Sequence, residues 1–183
     1  IPAGKTTAIL GPSGCGKSTL LYRLGLLWDD RRGTAGTLRY FHGETAYDLL
    51  GLSAGEQAQL RAAAFGFVLQ SSYLLPAPTC LENVALPLAL HGWPARARER
   101  WARELLAVAG DLAADLRERA GRRPRAVSAG QRQRYAALRA LVTDPAVVFA
   151  DEPSSNLDPA NTTAMFDLLC RWRRGDLIDA VRK

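Results

Sequence analysis

The stretch GPSGCGKST, positions 11–19, limits what this chain can fold into more than any other. Gly11, Gly16, Lys17 and Ser18 satisfy the spacing GxxxxGK[ST], after an apolar run at 6–10 and before helical apolar spacing over 17–28. A strand, a glycine-rich loop and a helix start, in that order, make a cradle for phosphate. Glycines let successive backbone N–H groups converge on an anion, and the helix points its positive end at the same charge. Gly11, Pro12, Ser13, Gly14, Cys15, Gly16, Lys17, Ser18 and Thr19 are therefore the expected nucleotide-binding residues. Lys17 would supply a point charge to the phosphates, and the Ser18 hydroxyl would ligate Mg²⁺.

A second half is needed to make that loop useful. VVFADEP, positions 147–153, reads as an apolar strand delivering Asp151 to its C-terminal end, with Glu152 one residue on. In a parallel α/β sheet that end lies beside the phosphate loop. Asp151 is placed to hold the water shell of Mg²⁺, and Glu152 to polarise an attacking water as the catalytic base. Together the two motifs imply nucleotide hydrolysis.

The remaining pattern agrees with one domain of α/β class. At 183 residues the chain can bury one core. Strands are expected at 37–41, 67–69 and 146–150, and helices at 53–64, 128–142 and 159–174. The stretch 81–120 reads as mostly helical, interrupted at Pro87 and at HGWP, 91–94. Ser53 and Glu56 have the spacing of a capping box. The strand-poor region 72–142 predicts a helical subdomain inserted into a core formed by 1–71 and 143–183.

Bulk properties exclude several classes. No apolar run reaches the roughly 20 residues a membrane span needs, and no signal-peptide pattern opens the chain. Cys15, Cys80 and Cys170 are odd in number and lack metal-ligand spacing, which fits a reducing cytoplasm. The formal charge of +6 is concentrated between Arg96 and Arg134, where eleven arginines face five acidic residues. That surplus suits a solvated helical face, or contact with nucleic acid, phospholipid headgroups or an acidic partner, and no nucleic-acid motif or aromatic interleaving supports the nucleic-acid option.

AVSAGQRQR, positions 126–134, resembles the signature of ATP-binding-cassette (ABC) ATPases, usually Ser-Gly-Gly-Gln followed by basic residues. The same spacing, Ser128 to Gln131, is also that of a simple capping box. The resemblance implies a P-loop NTPase core with a mostly parallel sheet. It further implies that Ser128, Ala129, Gly130 and Gln131 bind, in trans, the γ-phosphate of ATP held by a second copy. Ala129 departs from the family's glycine. Gln70 is similar to the Q-loop glutamine, implied to contact Mg²⁺ or the attacking water. SSNLDP, 154–159, looks like the D-loop, with Asp158 at the interface between copies. Cofactors implied are ATP and Mg²⁺, with Ser18, Gln70 and Asp151 as metal contacts. The stretch 60–92, with GFVLQ, LLP and ENV, is similar to the lipoprotein-releasing and macrolide-export ATPases.

The implied partners are a second ATPase subunit and a polytopic membrane permease, placing the chain peripherally on the inner face of the cell membrane. Tyr73, Leu74, Leu75 and Leu81 are the expected apolar contacts to that permease, and no nucleic acid is expected. Two family features are missing: an aromatic that stacks on adenine, and a switch histidine after the signature, since His42 and His91 both precede it. Trimming at both ends and natural variation each explain this, and either predicts weak ATP binding and slow turnover. Alternative functions are a soluble ABC-type ATPase, for which the gap 71–127 is too short to hold a DNA-repair coiled coil, and a regulatory module that binds ATP without hydrolysing it.

Overall fold

The computed structural model describes residues 1–28 and 36–182. Helix α1, Lys17–Leu24, begins directly after Gly16 and is closed by Gly25. It is shorter than the expected 17–28, because Gly25 ends the ladder and Trp28 stands exposed. Strands β1, Arg39–His42, and β2, Thr45–Asp48, form an antiparallel hairpin with Tyr40 opposite Tyr47. Ser53 and Glu56 complete the expected capping box of α2, Ala54–Ala64. The chain then runs directly into β3, Phe65–Val68, two residues earlier than sequence spacing suggests.

The parallel pair of β3 with β4, Val147–Ala150, anchors the α/β layer, with Phe67 opposite Phe149. Side chains alternate across the strands. Phe65 and Phe67 lie against Phe149 at 5.3 and 5.5 Å between ring centroids, and Tyr40 of the hairpin meets Phe65 edge-on at 5.4 Å. These rings join Leu21, Leu26, Leu49 and Ala64 in a small core. Val68, on the alternate side, belongs to a larger core.

That larger core is helical. It draws on α3 (Cys80–Leu90), α4 (Ala95–Val108), α6 (Ala129–Leu141), α7 (Pro159–Arg174) and α8 (Asp176–Arg182), with the short α5 (Leu116–Arg119) between α4 and α6. Tyr135, Leu138, Leu141, Leu105, Met165, Leu168 and Leu177 are fully buried in it.

Two expectations need correction. Residues 6–10 do not form a strand: no ladder partner reaches them among the described residues, and Ile9 and Leu10 are exposed. An extended segment without a hydrogen-bonded neighbour is not a strand. Pro87 does not interrupt α3, which runs on to Leu90. An interior proline costs about 3 kcal/mol, whereas Leu81, Val84 and Leu88 are all buried by that helix, and each such burial stabilises by about 1.5–3 kcal/mol. The stretch after Gly175, to which no element was assigned from sequence, folds as α8, whose Leu177, Ile178 and Val181 are buried.

Candidate functional site

The loop before α1 is built as its glycines require. Gly14 and Gly16 have φ of +79° and +94°, and no atom lies within 4 Å of where a Cβ would stand on either. Side chains are disfavoured there by backbone sterics, so the loop stays open and lined by main chain. Lys17 arches back, its Nζ donating to the carbonyls of Gly11 at 3.0 Å and Pro12 at 2.8 Å. Cys15 is exposed, and its Sγ lies over Gly11. The whole of 11–16, with Thr19, faces solvent.

Asp151 meets this loop from the end of β4. Its backbone N–H donates to the Val68 carbonyl at 2.8 Å, which continues the sheet by one residue. The carboxylate is buried at 8% exposure and uses both oxygens. Ser18 Oγ donates to Oδ1 at 3.0 Å, and Tyr22 OH donates to Oδ2 at 3.1 Å. Burial, with the hydrogen bond to Asp151 second, pushes the Tyr22 phenol above its usual value.

Glu152 follows with φ of +45°, a left-handed backbone rare outside glycine. Such strain costs on the order of 1–3 kcal/mol and clusters at functional sites. It turns the Glu152 side chain out to solvent, where Gln70 Nε2 donates to its Oε2 at 3.0 Å. Asn156 Nδ2 donates in turn to the Gln70 carbonyl at 3.4 Å.

These residues fit a nucleotide phosphate with Mg²⁺. The loop offers open main chain and a lysine, and Ser18 with Asp151 pairs one hydroxyl with one carboxylate. Among the described residues no cluster of three or more His, Cys, Asp or Glu is gathered for a metal. A single carboxylate and a hydroxyl suit Mg²⁺, which keeps waters and phosphate oxygens as its remaining ligands.

The signature stretch sits at the start of α6. Ser128 Oγ accepts from the Gln131 N–H at 3.1 Å, and Gln131 Oε1 accepts from the Ser128 N–H at 2.9 Å, so the capping box is real. Ala129 is exposed beside it. A Cβ on Gly130 would stand 3.0 Å from the Asn156 carbonyl oxygen and 3.4 Å from Leu157 Cδ2, so the D-loop presses on this turn. Asp158 caps α7, accepting from Asn161 N–H at 2.9 Å and Asn161 Nδ2 at 2.6 Å. The Asn161 backbone bond, then its side chain, holds the Asp158 carboxyl below the usual range.

Sequence reasoning missed what anchors α6. Gln131 Nε2 donates to Asp115 Oδ2 at 2.8 Å, and Arg134 grips both Asp115 oxygens at 2.6 and 3.0 Å and the Leu112 carbonyl at 2.8 Å. Burial pushes the Asp115 carboxyl up, but hydrogen bonds from Arg134 and Gln131 together hold it below its usual value. Gln133 Nε2 donates to the Leu69 carbonyl at 2.9 Å, tying α6 to the end of β3. Tyr22 was missed as well. Its only sequence signal is the four-residue step from Ser18, which places both on one face of α1.

The expected permease contacts divide. Tyr73 is 65% exposed and Leu75 45%, while Leu74 packs on the helical core and Leu81, at 3%, is sealed within it. Leu81 therefore cannot meet a partner. It sits on the first turn of α3, its N–H donating to the Ala120 carbonyl at 2.9 Å. The 71–79 loop is pinned from behind: Arg139 donates to the Ser72 and Tyr73 carbonyls at 2.8 Å, and Asn83 bonds both the N–H and the carbonyl of Leu75.

Comparison with known proteins agrees with this geometry. The sequence model of the ABC transporter family matches residues 1–155. A lipoprotein-releasing system ATP-binding protein, LolD, of Paramagnetospirillum magneticum is 44% identical over 182 residues, covering 99% of this chain and 75% of that relative. LolD of Pseudoalteromonas translucida is 43% identical over 166 residues, covering 91% of this chain and 66% of its own length. The chain thus spans about two thirds to three quarters of these relatives. Among solved structures, a dimeric ATP-binding cassette in a post-hydrolysis state bound to ADP and Pi superposes with a TM-score of 0.79 at 30% identity, covering 100% of this chain and 79% of that one. A second dimeric structure, of a bacterial ABC transporter cassette, gives 0.80 at the same identity and coverage. With the α/β layer and both phosphate-side motifs in place, the chain belongs to the ABC transporter family, as one of its ATP-binding cassettes, the ATPase part of that family.

Proposed function

We propose that this chain binds Mg-ATP and hydrolyses it as the ATP-binding subunit of an ABC transporter of the lipoprotein-releasing or macrolide-export type. The observation that supports this reading most is the junction at the end of β4. There one strand end brings Asp151 onto Ser18 and Glu152 onto Gln70. Lys17 and the main chain of 11–16 would hold the phosphates. Ser18 and Asp151 would hold Mg²⁺, which when bound supplies charge neutralisation across the phosphate oxygens. Glu152, turned out by its backbone and held by Gln70, would orient a water and take its proton.

Two copies would close around nucleotide, the α6 start of one facing the 11–19 loop of the other. The dimeric state of the superposed cassettes supports this arrangement. A polytopic membrane subunit would dock on the helical subdomain, 72–142, near exposed Tyr73 and Leu75, while 1–71 and 143–183 form the core. The chain would then sit at the inner face of the membrane through that subunit. Among the described residues no helix is long and apolar enough to cross a bilayer.

Replacing the proposed base tests the reading. Glu152→Gln should lower hydrolysis by about 10²–10⁴-fold, the usual contribution of a positioned base. It should also accumulate an ATP-dependent pair on size-exclusion chromatography. Unchanged hydrolysis would sink the assignment of Glu152. The regulatory-module alternative draws on one observation, that both histidines are engaged away from the site. His42 lies by Tyr40 at 3.3 Å, and His91 Nε2 lies 2.9 Å from the Ala62 carbonyl. Single-turnover ATP hydrolysis by the chain separates the two.

A further inference from the structure

We propose that Tyr22 is a positioning residue for the metal side of the site, acting through Asp151. This rests on the Mg-ATP reading above. Asp151 has two carboxylate oxygens, and both are claimed by α1. Ser18 takes Oδ1 at 3.0 Å and Tyr22 takes Oδ2 at 3.1 Å. The four-residue step sets both hydroxyls on one face of the helix. The carboxylate can then neither spin about its Cβ–Cγ bond nor turn both oxygens toward the loop.

The Tyr22 ring is itself held. It is half-buried and packs against the small core that contains Leu21, Phe65 and Phe149. A phenol fixed by its ring is a better anchor than a long flexible chain, since little further motion is lost when its hydroxyl bonds. The phenol holds Oδ2, so Oδ1 stays with Ser18, the other residue proposed to hold Mg²⁺. This is the part an outer partner plays at metal sites, where it fixes the ligand's orientation and its loss weakens metal binding.

The phenol does not ligate the metal, which separates its role from that of Ser18. Removing it should loosen the carboxylate without removing any metal contact. The inference therefore predicts a selective defect, in the Mg²⁺ requirement and not in phosphate gripping as such.

The test uses the full chain and a fluorescent ATP analogue titrated with Mg²⁺ and, separately, in EDTA. Tyr22→Phe keeps the ring and its packing. The Mg²⁺ concentration for half-maximal probe binding should rise about three- to tenfold, the low end of what such outer partners contribute. Affinity in EDTA should move less than twofold. In a Tyr22→Phe/Asp151→Asn double variant, the tyrosine change should add nothing to the defect of Asp151→Asn, because its effect passes through that carboxylate. An unchanged Mg²⁺ midpoint, an equal loss in EDTA, or additivity in the double variant would each overturn the proposal. Failure of the unaltered chain to bind the probe with Mg²⁺ would overturn the Mg-ATP reading and this inference with it.

Discussion

The phosphate loop and the start of α6 are both phosphate-facing turns in the proposed dimer, yet they are built in opposite ways. The loop 11–16 is exposed, held mainly by its own main chain and by Lys17 reaching back to Gly11 and Pro12. The α6 start is braced from below by Gln131, Asp115 and Arg134, over a core where Tyr135 and Leu138 are fully buried. A loop that must wrap an anion gains from open main chain. A helix tip that must be presented to another molecule gains from a rigid seat.

Substitutions on each side should break this contrast if it is wrong. The largest stability effect is expected from Leu138→Ala, about 2–5 kcal/mol by urea denaturation, because it leaves a cavity in the helical core. Next comes Arg134→Met, which removes a charged donor from Asp115 and the Leu112 carbonyl and should cost about 1.5–3 kcal/mol. The pair also sets a pH dependence. Because Asp115 is held below its usual value in the fold, it contributes stability above the unfolded carboxylate pKa. That contribution is lost as pH falls through the lower folded value. Arg134→Met should flatten this acid limb of a melting-temperature profile.

Ser128→Ala removes a cap and should cost about 1 kcal/mol. The smallest stability effect is expected at Lys17→Ala, within about 0.5 kcal/mol, since this half-buried side chain bonds only the carbonyls of its own surface loop. That variant should nonetheless abolish measurable binding of the fluorescent ATP analogue. If Lys17→Ala destabilised the fold as much as Arg134→Met, the loop would be part of the scaffold and the contrast would fail.

Much of this was legible in the residues themselves. Helix α7 was readable at both ends because Pro159 opens it and Gly175 closes it. The boxes at Ser53 and Ser128 are local patterns, complete within four residues. Asp151 and Glu152 could be placed because an apolar run followed by acids has one economical reading beside a phosphate loop. What was not legible depends on distant chain. Tyr22 reads as one polar side chain on a helix until a carboxylate 129 residues away arrives beside it. Asp115 reads as a surface acid until α6 lays Arg134 across it. β2 was passed over because TAYD is four residues long and exposed throughout, too short for alternation to stand out. The run at 6–10 has strand composition, but composition does not provide a neighbour to pair with.

Asn156 touches two segments from opposite ends: its carbonyl oxygen abuts Gly130, and its side-chain amide bonds the Gln70 carbonyl. A methyl group at 130 would shove the D-loop and, through it, disturb the glutamine that steadies Glu152. For anyone building chimaeras between cassettes, positions 70, 130 and 156 thus form a single transplantable unit. Exchanging one without the other two should spoil the proton handling proposed for Glu152.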